Sequence, residues 1–481
     1  MVTHDNFIVA VELGSSKVSA VAGDKQPDGA VRILAAAQEA SEDFIRKGRI
    51  YNVDKFALCI NRIKEKLEKG VVGMSIAKAY VGIGGLGMHS VLNTITKSYP
   101  DRVKVTDEMI DVIQDENSAS QPTDRDIIGV IPQEYKLSQM KTLDPVGILS
   151  QSITGNFLNI VSAAQTKQQI IDNFAHCRIE VVDLPVTFLS LADNMVSDRQ
   201  RQSGCVFVDM GAQTTSVAVF KSGILRHLAV IPLGGANITS DIATAFQVDE
   251  AEAEEIKLNY NFAIEDIDED DKEQFTTSDG RTFLVNELKK LVSARLEEII
   301  LNVKHQIELS QFTPQQLVSG IILTGGVAKT RNIERAFALV TNIPGTVNVA
   351  RGIKLSFRTN KHDFNKDGSY DSVISLVDKG NENCCGGEIG QTIDIFGSDK
   401  KDEDAKKDET TTAGDTIPST PTNHDGRISG GDVDTPITET TEEPTKEPTK
   451  EPTKPSKFKK VWGRLLSSTK SGLTKLISED E

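Results

Sequence analysis

Residues 205–233 read CVFVDMGAQTTSVAVFKSGILRHLAVIPL. An apolar run ends in an acid, Asp209. A glycine and hydroxyl residues follow, then a second apolar run, a Gly turn and a third run. The start of the chain has the same order: FIVAVEL (7–13), the turn GSSK (14–17), VSAVAGD and VRILAAAQE. A strand–turn–strand unit repeated about 200 residues apart predicts a pseudo-twofold α/β molecule with a cleft between its halves.

Other patterns fill in around the two copies. VDKFALCINRIKEKLEKG (53–70) spaces Phe56, Ile60, Ile63 and Leu67 on one helical face. Residues 88–165 read as an insert, with strands around SVLNTIT and IIGVIPQEYKL and a helix around TDEMIDVIQDEN that Thr106 caps. Residues 166–176 are helical in pattern and IEVVDLPV is strand-like. Helical patterns over 237–258 and 284–311 flank the acidic run EDIDEDDKE, a solvated loop. GIILTGGVAKTRNIERAFALV (320–340) reads strand, Gly-rich turn, helix.

Composition bounds the function. The 481 residues carry a formal net charge of −16 and a pI near 5.1, which argues against nucleic acid as a partner, since phosphate contact needs a basic footprint. The N-terminus has neither a basic region nor a cleavage site of the secretory type, and no run of about 18 apolar residues would span a bilayer. The cysteines, Cys59, Cys177, Cys205, Cys384 and Cys385, fit neither a disulfide framework nor a zinc site and are read as reduced thiols.

Three Gly-rich turns each follow an apolar strand: ELGSSK (12–17), DMGAQTT (209–215) and LTGGVAK (323–329). Glycine lets backbone N–H groups approach a phosphate, and hydroxyls add donors. One such turn is ordinary in any α/β fold; three, two of them related by a repeat, point to a phosphate-binding cleft. None is a P-loop, because Lys17 comes too early, and none fits the dinucleotide GxGxxG pattern. DFNKDGSYDSVI (363–374) begins like a calcium loop, but its twelfth position is Ile374 where a bidentate acid is needed; a polar turn leading into a helix is the expected structure.

VELGSSKVSAVAG (11–23), VIPQEY (130–135), VDMGAQTTSVAVFKSGILRHLAVIPLGGANITSDIA (208–243), AEAEEIKLNY (251–260) and IILTGGVAKTRNIE (321–334) together resemble the actin-like ATPase superfamily. Within it they resemble the FtsA family of bacterial cell-division proteins, over about residues 5–378 and again at 456–477. The resemblance implies an α/β, actin-like (duplicated ribonuclease-H-like) two-lobed fold with a nucleotide cleft and an inserted 1C subdomain. The divisions it implies are 1–87 (large-lobe 1A), 88–165 (1C), 166–235 (first part of 2A), 236–318 (small-lobe 2B) and 319–396 (rest of 2A and return to 1A). A linker, 397–455, and a terminal helix, 456–477, complete the chain.

The resemblance also implies ATP and Mg2+ as cofactors. Gly14, Ser15, Ser16 and Lys17 would meet the phosphates, with Gly211, Thr214 and Thr215 forming the second phosphate turn. Gly234 and Gly235 would approach the terminal phosphate, and Gly325, Gly326 and Val327 would border the adenosine. Glu255 and Lys257 would reach the nucleoside from the small lobe. Glu12 and Asp209 would face Mg2+, Asp209 through water. The implied partners are the C-terminal tail of FtsZ at the small lobe, further copies of the chain in a filament, and later division proteins at 1C. Ala212 and Gln213 depart from the family's glycines and crowd the phosphates, and Asn261 stands where a glycine often closes the small-lobe helix. These changes leave nucleotide binding in place and put efficient hydrolysis in doubt: slow hydrolysis at most is expected, and no residue stands out as a catalytic base.

The end of the chain is read from its residues. From Gly397 to Pro455 acid, Lys, Thr and Pro dominate, with EPTK three times in succession. Such a segment cannot offset its ordering entropy, and as a tether it reaches about 45 Å. SKFKKVWGRLLSSTKSGLTKLI (456–477) then carries six Lys or Arg and no acid. On a helix Phe458, Val461, Trp462, Leu465, Leu466, Leu473, Leu476 and Ile477 fall within an arc of roughly 160°. Lys459, Lys460 and Arg464 lie along its polar edge, and Ser456 can cap it. This is the pattern of a helix lying in the interface of an anionic membrane. Docking back on the body, or into a groove of another protein, is the alternative.

The combined expectation is an ATP-binding cell-division protein that anchors FtsZ filaments to the cytoplasmic face of the inner membrane at the division site. It would be peripheral, would polymerise, and would help recruit the divisome for septum formation. The alternatives are a pilus-assembly relative that binds a membrane partner, and an actin-fold small-molecule kinase, which would need an acceptor pocket and a carboxylate base.

Overall fold

The computed structural model describes residues 6–388, apart from 72, 121–123, 139, 261, 264–271, 344, 360–363 and 365. The linker expected over 397–455 and the helix expected over 456–477 lie outside the described residues, as does Asn261. All five cysteines are free thiols.

The repeat read from the sequence is a repeat of topology. In a six-stranded sheet the order is Glu180–Asp183, Lys78–Gly82, Phe7–Leu13, Lys17–Lys25, Val31–Ala40 and Phe357–Thr359. Phe7–Leu13 pairs antiparallel with Lys17–Lys25 and parallel with Lys78–Gly82. In a nine-stranded sheet Cys205–Met210 pairs antiparallel with Thr215–Lys221 and parallel with Ile321–Thr324, and Val347–Val349 lies outside the latter. The two halves thus share one order, 3-2-1 continued by two parallel strands. The central strands are buried on both faces, which is why they read as continuous apolar runs rather than alternating ones. Phe7 to Ala10 and Cys205 to Val208 are all within 1 % of full burial.

The helix Val53–Gly70 buries Phe56, Ile60, Ile63 and Leu67, and Asn52 caps it by accepting from the Lys55 N–H at 3.0 Å. Its core joins the first sheet; the ring contact Phe56–Phe174 ties it to the helix Thr166–His176, and Phe44–Phe56 ties it to the turn before Ile45. The helical pattern over 237–258 resolves into two helices, Gly235–Phe246 and Glu250–Asn259. Gln247 takes a left-handed conformation between them and Asp249 caps the second. These pack with Val285–Leu309 and the hairpin Gln274–Thr276/Thr282–Leu284 around a second core.

Between the strands Lys78–Gly82 and Glu180–Asp183 of the first sheet the chain inserts a layer with its own small core of Val105, Ile110, Ile113, Tyr135, Leu137, Ile153 and Phe157. The helix Asp107–Ala119, capped by Thr106 as expected, lies on strands His89–Lys104, Arg125–Leu137 and Leu149–Ala163. These strands prolong the second sheet edge to edge through the His89–Ala229 pair. Ser90 fastens that edge: its hydroxyl accepts from Leu228 N–H at 2.8 Å.

Candidate functional site

Glu12 and Asp209 occupy equivalent places in the repeat. Glu12 sits opposite Ser19 and beside Gly82; Asp209 sits opposite Ser216 and beside Thr324. Both stand near the C-terminal ends of central strands, where α/β sheets place their ligands. Both line one cleft of about 1580 Å3 that receives residues from both halves. That exceeds the volume of a typical small-molecule pocket.

Both carboxylates are partly exposed at the cleft wall, yet the protein packed around them limits their solvation. Burial, then the neighbouring Asp209 charge, pushes Glu12 up to about 7, against the opposing pull of Lys17 and a hydrogen bond from Ser372. Burial pushes Asp209 up to about 6. Burial also pulls Lys17 below the usual ammonium range, although the Glu12 and Asp367 charges oppose this. Two carboxyl groups destabilised as anions, with a destabilised ammonium beside them, form a site that gains from a bound cation and from a bound anion.

Most residues singled out in the sequence meet here. Glu12, Gly14, Ser15, Ser16, Lys17, Asp209, Gly211, Thr214, Gly235, Lys257, Gly325, Gly326 and Val327 all line the cleft. Gly325 has φ +94°, and a Cβ there would stand 2.5 Å from Asp209 Oδ1. Only glycine lets this turn lie against the carboxylate. Gly326 has open space where its Cβ would be.

Three expectations need correction. Glu255 is exposed and does not line the cleft; Glu254 does. Residues three apart share a helical face and residues two apart do not, so Glu254, not Glu255, meets Lys257. Lys257 Nζ donates to Glu254 Oε2 at 2.5 Å, to Thr239 Oγ1 at 2.9 Å and to Gly235 O at 3.3 Å. The i,i+3 spacing was available as a signal. Thr215 is fully buried and its hydroxyl donates to Leu233 O at 2.8 Å, so it braces the turn from behind. Gly234 is not among the lining residues. A Cβ there would meet Gly211 O and Ala212 O at 2.6 Å, and its N–H donates to Asn237 Oδ1 at 3.0 Å. This glycine admits backbone against backbone.

The second turn is in fact sealed onto the helix that follows it. Gly235 N–H donates to Gly211 O at 3.0 Å and Ala236 N–H to Ala212 O at 2.7 Å. The first turn is braced by Ser41, whose hydroxyl donates to Gly14 O at 2.7 Å, and by Gly48 N–H donating to Ser15 Oγ at 3.0 Å. From Lys366 on, the calcium-like stretch is a polar turn into the helix Asp371–Lys379, as expected, but Asp367, Asp371 and Ser372 also line the cleft. Sequence reading had no signal for that, because the chain returns to the first half from far away. Lys329 faces Asp367 at 3.7 Å. Among the described residues no group of three or more His, Cys, Asp or Glu side chains forms a ready-made metal cage.

Comparison with known proteins agrees with this architecture. The family model for cell division protein FtsA matches residues 206–374, and that for the SHS2 domain inserted in FtsA matches residues 85–161. The cell division protein FtsA of Porphyromonas gingivalis is 29% identical over 353 residues, covering 72% of this chain and 73% of that protein. That of Escherichia coli K12 is 26% identical over 402 residues, covering 80% and 93%. Among solved structures, the PilM–PilN type IV pilus biogenesis complex superposes with a TM-score of 0.54 at 15% identity, covering 77% of this chain and 97% of that one. The last likeness speaks for the fold alone. A mixed α/β, actin-like fold, an SHS2 insert and relatives of one name across bacteria lead to one conclusion: the chain belongs to the FtsA family of cell division proteins.

Proposed function

We propose that the protein binds ATP in this cleft and serves as a peripheral membrane tether for FtsZ filaments at the division site. The observation that carries the reading is the meeting of both Gly-rich turns, with Glu12 and Asp209, at one cleft. Gly14, Ser15, Ser16 and Lys17 from one half, and Gly211 and Thr214 from the other, would hold the phosphates. Gly325, Gly326 and Val327 would border the base, and Lys257 with Glu254 the ribose.

Mg2+ fits the donor set. Glu12 and Asp209 are hard oxygen donors, too few to strip the ion of its water, which is how this cation is ordinarily held beside phosphates. The ion would supply charge neutralisation for the phosphates. Glu12 and Asp209, destabilised as a bare anion pair, would orient its waters. Lys17 would balance phosphate charge from the same side as Glu12.

ATP acts here chiefly as a conformational ligand. It shifts the protein between states only by its differential affinity for them, and the state it favours would be the one that polymerises. In the proposed arrangement the small lobe, 236–318, takes the FtsZ tail, and the insert, 88–165, contacts neighbours and later division proteins. The basic amphipathic stretch 456–477 lies in the cytoplasmic face of the inner membrane at the end of its linker. No helix among the described residues is long and apolar enough to cross a membrane.

The test is co-sedimentation with anionic and neutral liposomes, with Mg2+ and ATP, of the full chain and of a chain ending at Pro455. The expected result is that only the full chain pellets, on anionic vesicles, and that salt weakens it. Equal behaviour of the two forms would sink the membrane half of the reading. A fluorescence titration with N-methylanthraniloyl-ATP tests the nucleotide half separately.

A further inference from the structure

Gln213 stands on the second Gly-rich turn and lines the cleft, yet its bond goes to the other half of the molecule. Its Oε1 accepts from the backbone N–H of Lys47 at 2.8 Å. Lys47 sits at the tip of the hairpin Ile45–Arg46/Arg49–Ile50, in a left-handed conformation with φ 49°. That hairpin is not loose. Gly48 N–H is held by Ser15, Leu86 N–H donates to Lys47 O at 2.8 Å, and a Cβ on Gly48 would stand 2.6 Å from Gly85 Cα. A fixed backbone N–H therefore decides which end of the Gln213 amide faces which way. With the oxygen committed to Lys47, the amide N–H2 group is the end left for a ligand in the cleft.

We infer that Gln213 is a binding residue for the outermost phosphate of a nucleoside triphosphate, joining that phosphate to the opposite half of the cleft through Lys47. The inference rests on the nucleotide reading above. A side-chain amide here does what a glycine cannot. Its N–H2 would donate to a phosphate oxygen while its oxygen holds the facing hairpin, so one rigid amide would couple the triphosphate to the opposite half of the cleft. A diphosphate, lacking the outer phosphate, would not engage it. Hydrogen bonds with a charged partner are the strong kind, so the triphosphate should leave more slowly than the diphosphate.

The experiment measures release of N-methylanthraniloyl-ATP and N-methylanthraniloyl-ADP, chased with unlabelled nucleotide in Mg2+, from the full chain and from Gln213→Ala and Gln213→Glu. Glutamate can still accept from Lys47 but cannot donate to phosphate, so it separates the two ends of the amide. The expected result is about tenfold faster triphosphate release with unchanged diphosphate release in Gln213→Ala, and in Gln213→Glu, whose charge repels both nucleotides, a larger acceleration for the triphosphate than for the diphosphate. Unchanged triphosphate release in Gln213→Glu overturns the inference, as does equal acceleration of both nucleotides in Gln213→Ala. If the wild-type chain binds both analogues and releases them at the same rate, the inference fails while the nucleotide reading stands. If it binds neither, both fail. The wild-type comparison needs no variant to fold.

Discussion

Glu12→Gln should stabilise the empty protein at alkaline pH and weaken its response to Mg2+ and ATP. Burial and the Asp209 charge hold Glu12 near 7 instead of 4.5. A carboxyl with a raised folded value binds more protons folded than unfolded between the two values. Stability therefore falls as pH rises from about 4.5 to about 7, and the cost is fully present above that. A shift of roughly 2.5 units corresponds to about 3 kcal/mol, and partial access to solvent and coupling to Asp209 bring the expected gain to about 1–3 kcal/mol. For a body of roughly 380 residues the entropy of melting is about 0.8 kcal/mol/K, so Tm should rise by about 1–4 °C. The assay is thermal melting of the full chain in EDTA, without nucleotide, from pH 5 to 8.5. The gap should be small at pH 5, where folded Glu12 is protonated and only about a quarter of the cost is present, and the Glu12→Gln variant should melt clearly higher at pH 8. Adding Mg2+ and ATP at pH 8 should then stabilise the wild type more than the variant, because glutamine cannot balance the cation. A gap of the same size at both pH values would refute the electrostatic account of Glu12. An equal response to Mg2+ and ATP would refute its place near the cation.

Other consequences follow from the geometry. Lys257→Ala removes three hydrogen bonds among Gly235, Thr239 and Glu254, and should weaken N-methylanthraniloyl-ATP binding about tenfold or more. Glu255→Ala should leave that affinity unchanged. Gly325→Ala must hold a side chain at φ +94° and against the Asp209 carboxylate, and should cost about 2–4 kcal/mol in a denaturant melt. Its neighbour is the control: Gly326 has ordinary helical dihedrals and open space, so Gly326→Ala should be neutral or stabilising by up to about 1 kcal/mol.

What the sequence disclosed depended on how local the determining physics is. The helix Val53–Gly70 was legible because the spacing of Phe56, Ile60, Ile63 and Leu67, three and four residues apart, is a property of nearby residues. The duplicated strands were legible because burial on both faces writes an unbroken apolar run. The strand Leu149–Ala163 was not read as one, although it is the centre of the insert and pairs along both edges. Its LSQSITGNF half mixes polar residues and a glycine, and only partners about 20 and about 60 residues earlier make it a strand. The same limit applied to the site. Gly14 and Gly211 were legible as turns, but Gly234 was misread, since a glycine that admits a phosphate and one that admits a neighbouring carbonyl look alike in one dimension. Asp367 and Ser372 reach the cleft by tertiary return alone.

The hydrogen bonds around the two turns also bear on how the cleft can move. Each turn is fastened mainly to its own half: the first to Ser41 and Gly48, the second to the start of the helix Gly235–Phe246. Glycines that could have made these turns pliable are instead wedged, with Gly14 against Lys17 O and Gly234 against Gly211 O, each within about 2.6 Å of where a Cβ would lie. A ligand that meets both turns therefore has little to gain by bending either one. It gains by drawing the halves together as units. The floor between them supports that kind of motion: Phe188 and Phe207 stack at 5.1 Å within one continuous core, and close-packed interiors shift between discrete arrangements more readily than they deform. Under the proposed function, rigid turns on a packed floor would convert the arrival of a phosphate into a change in the angle between the two halves. A surface made from both halves, such as the proposed filament contact, would read that change.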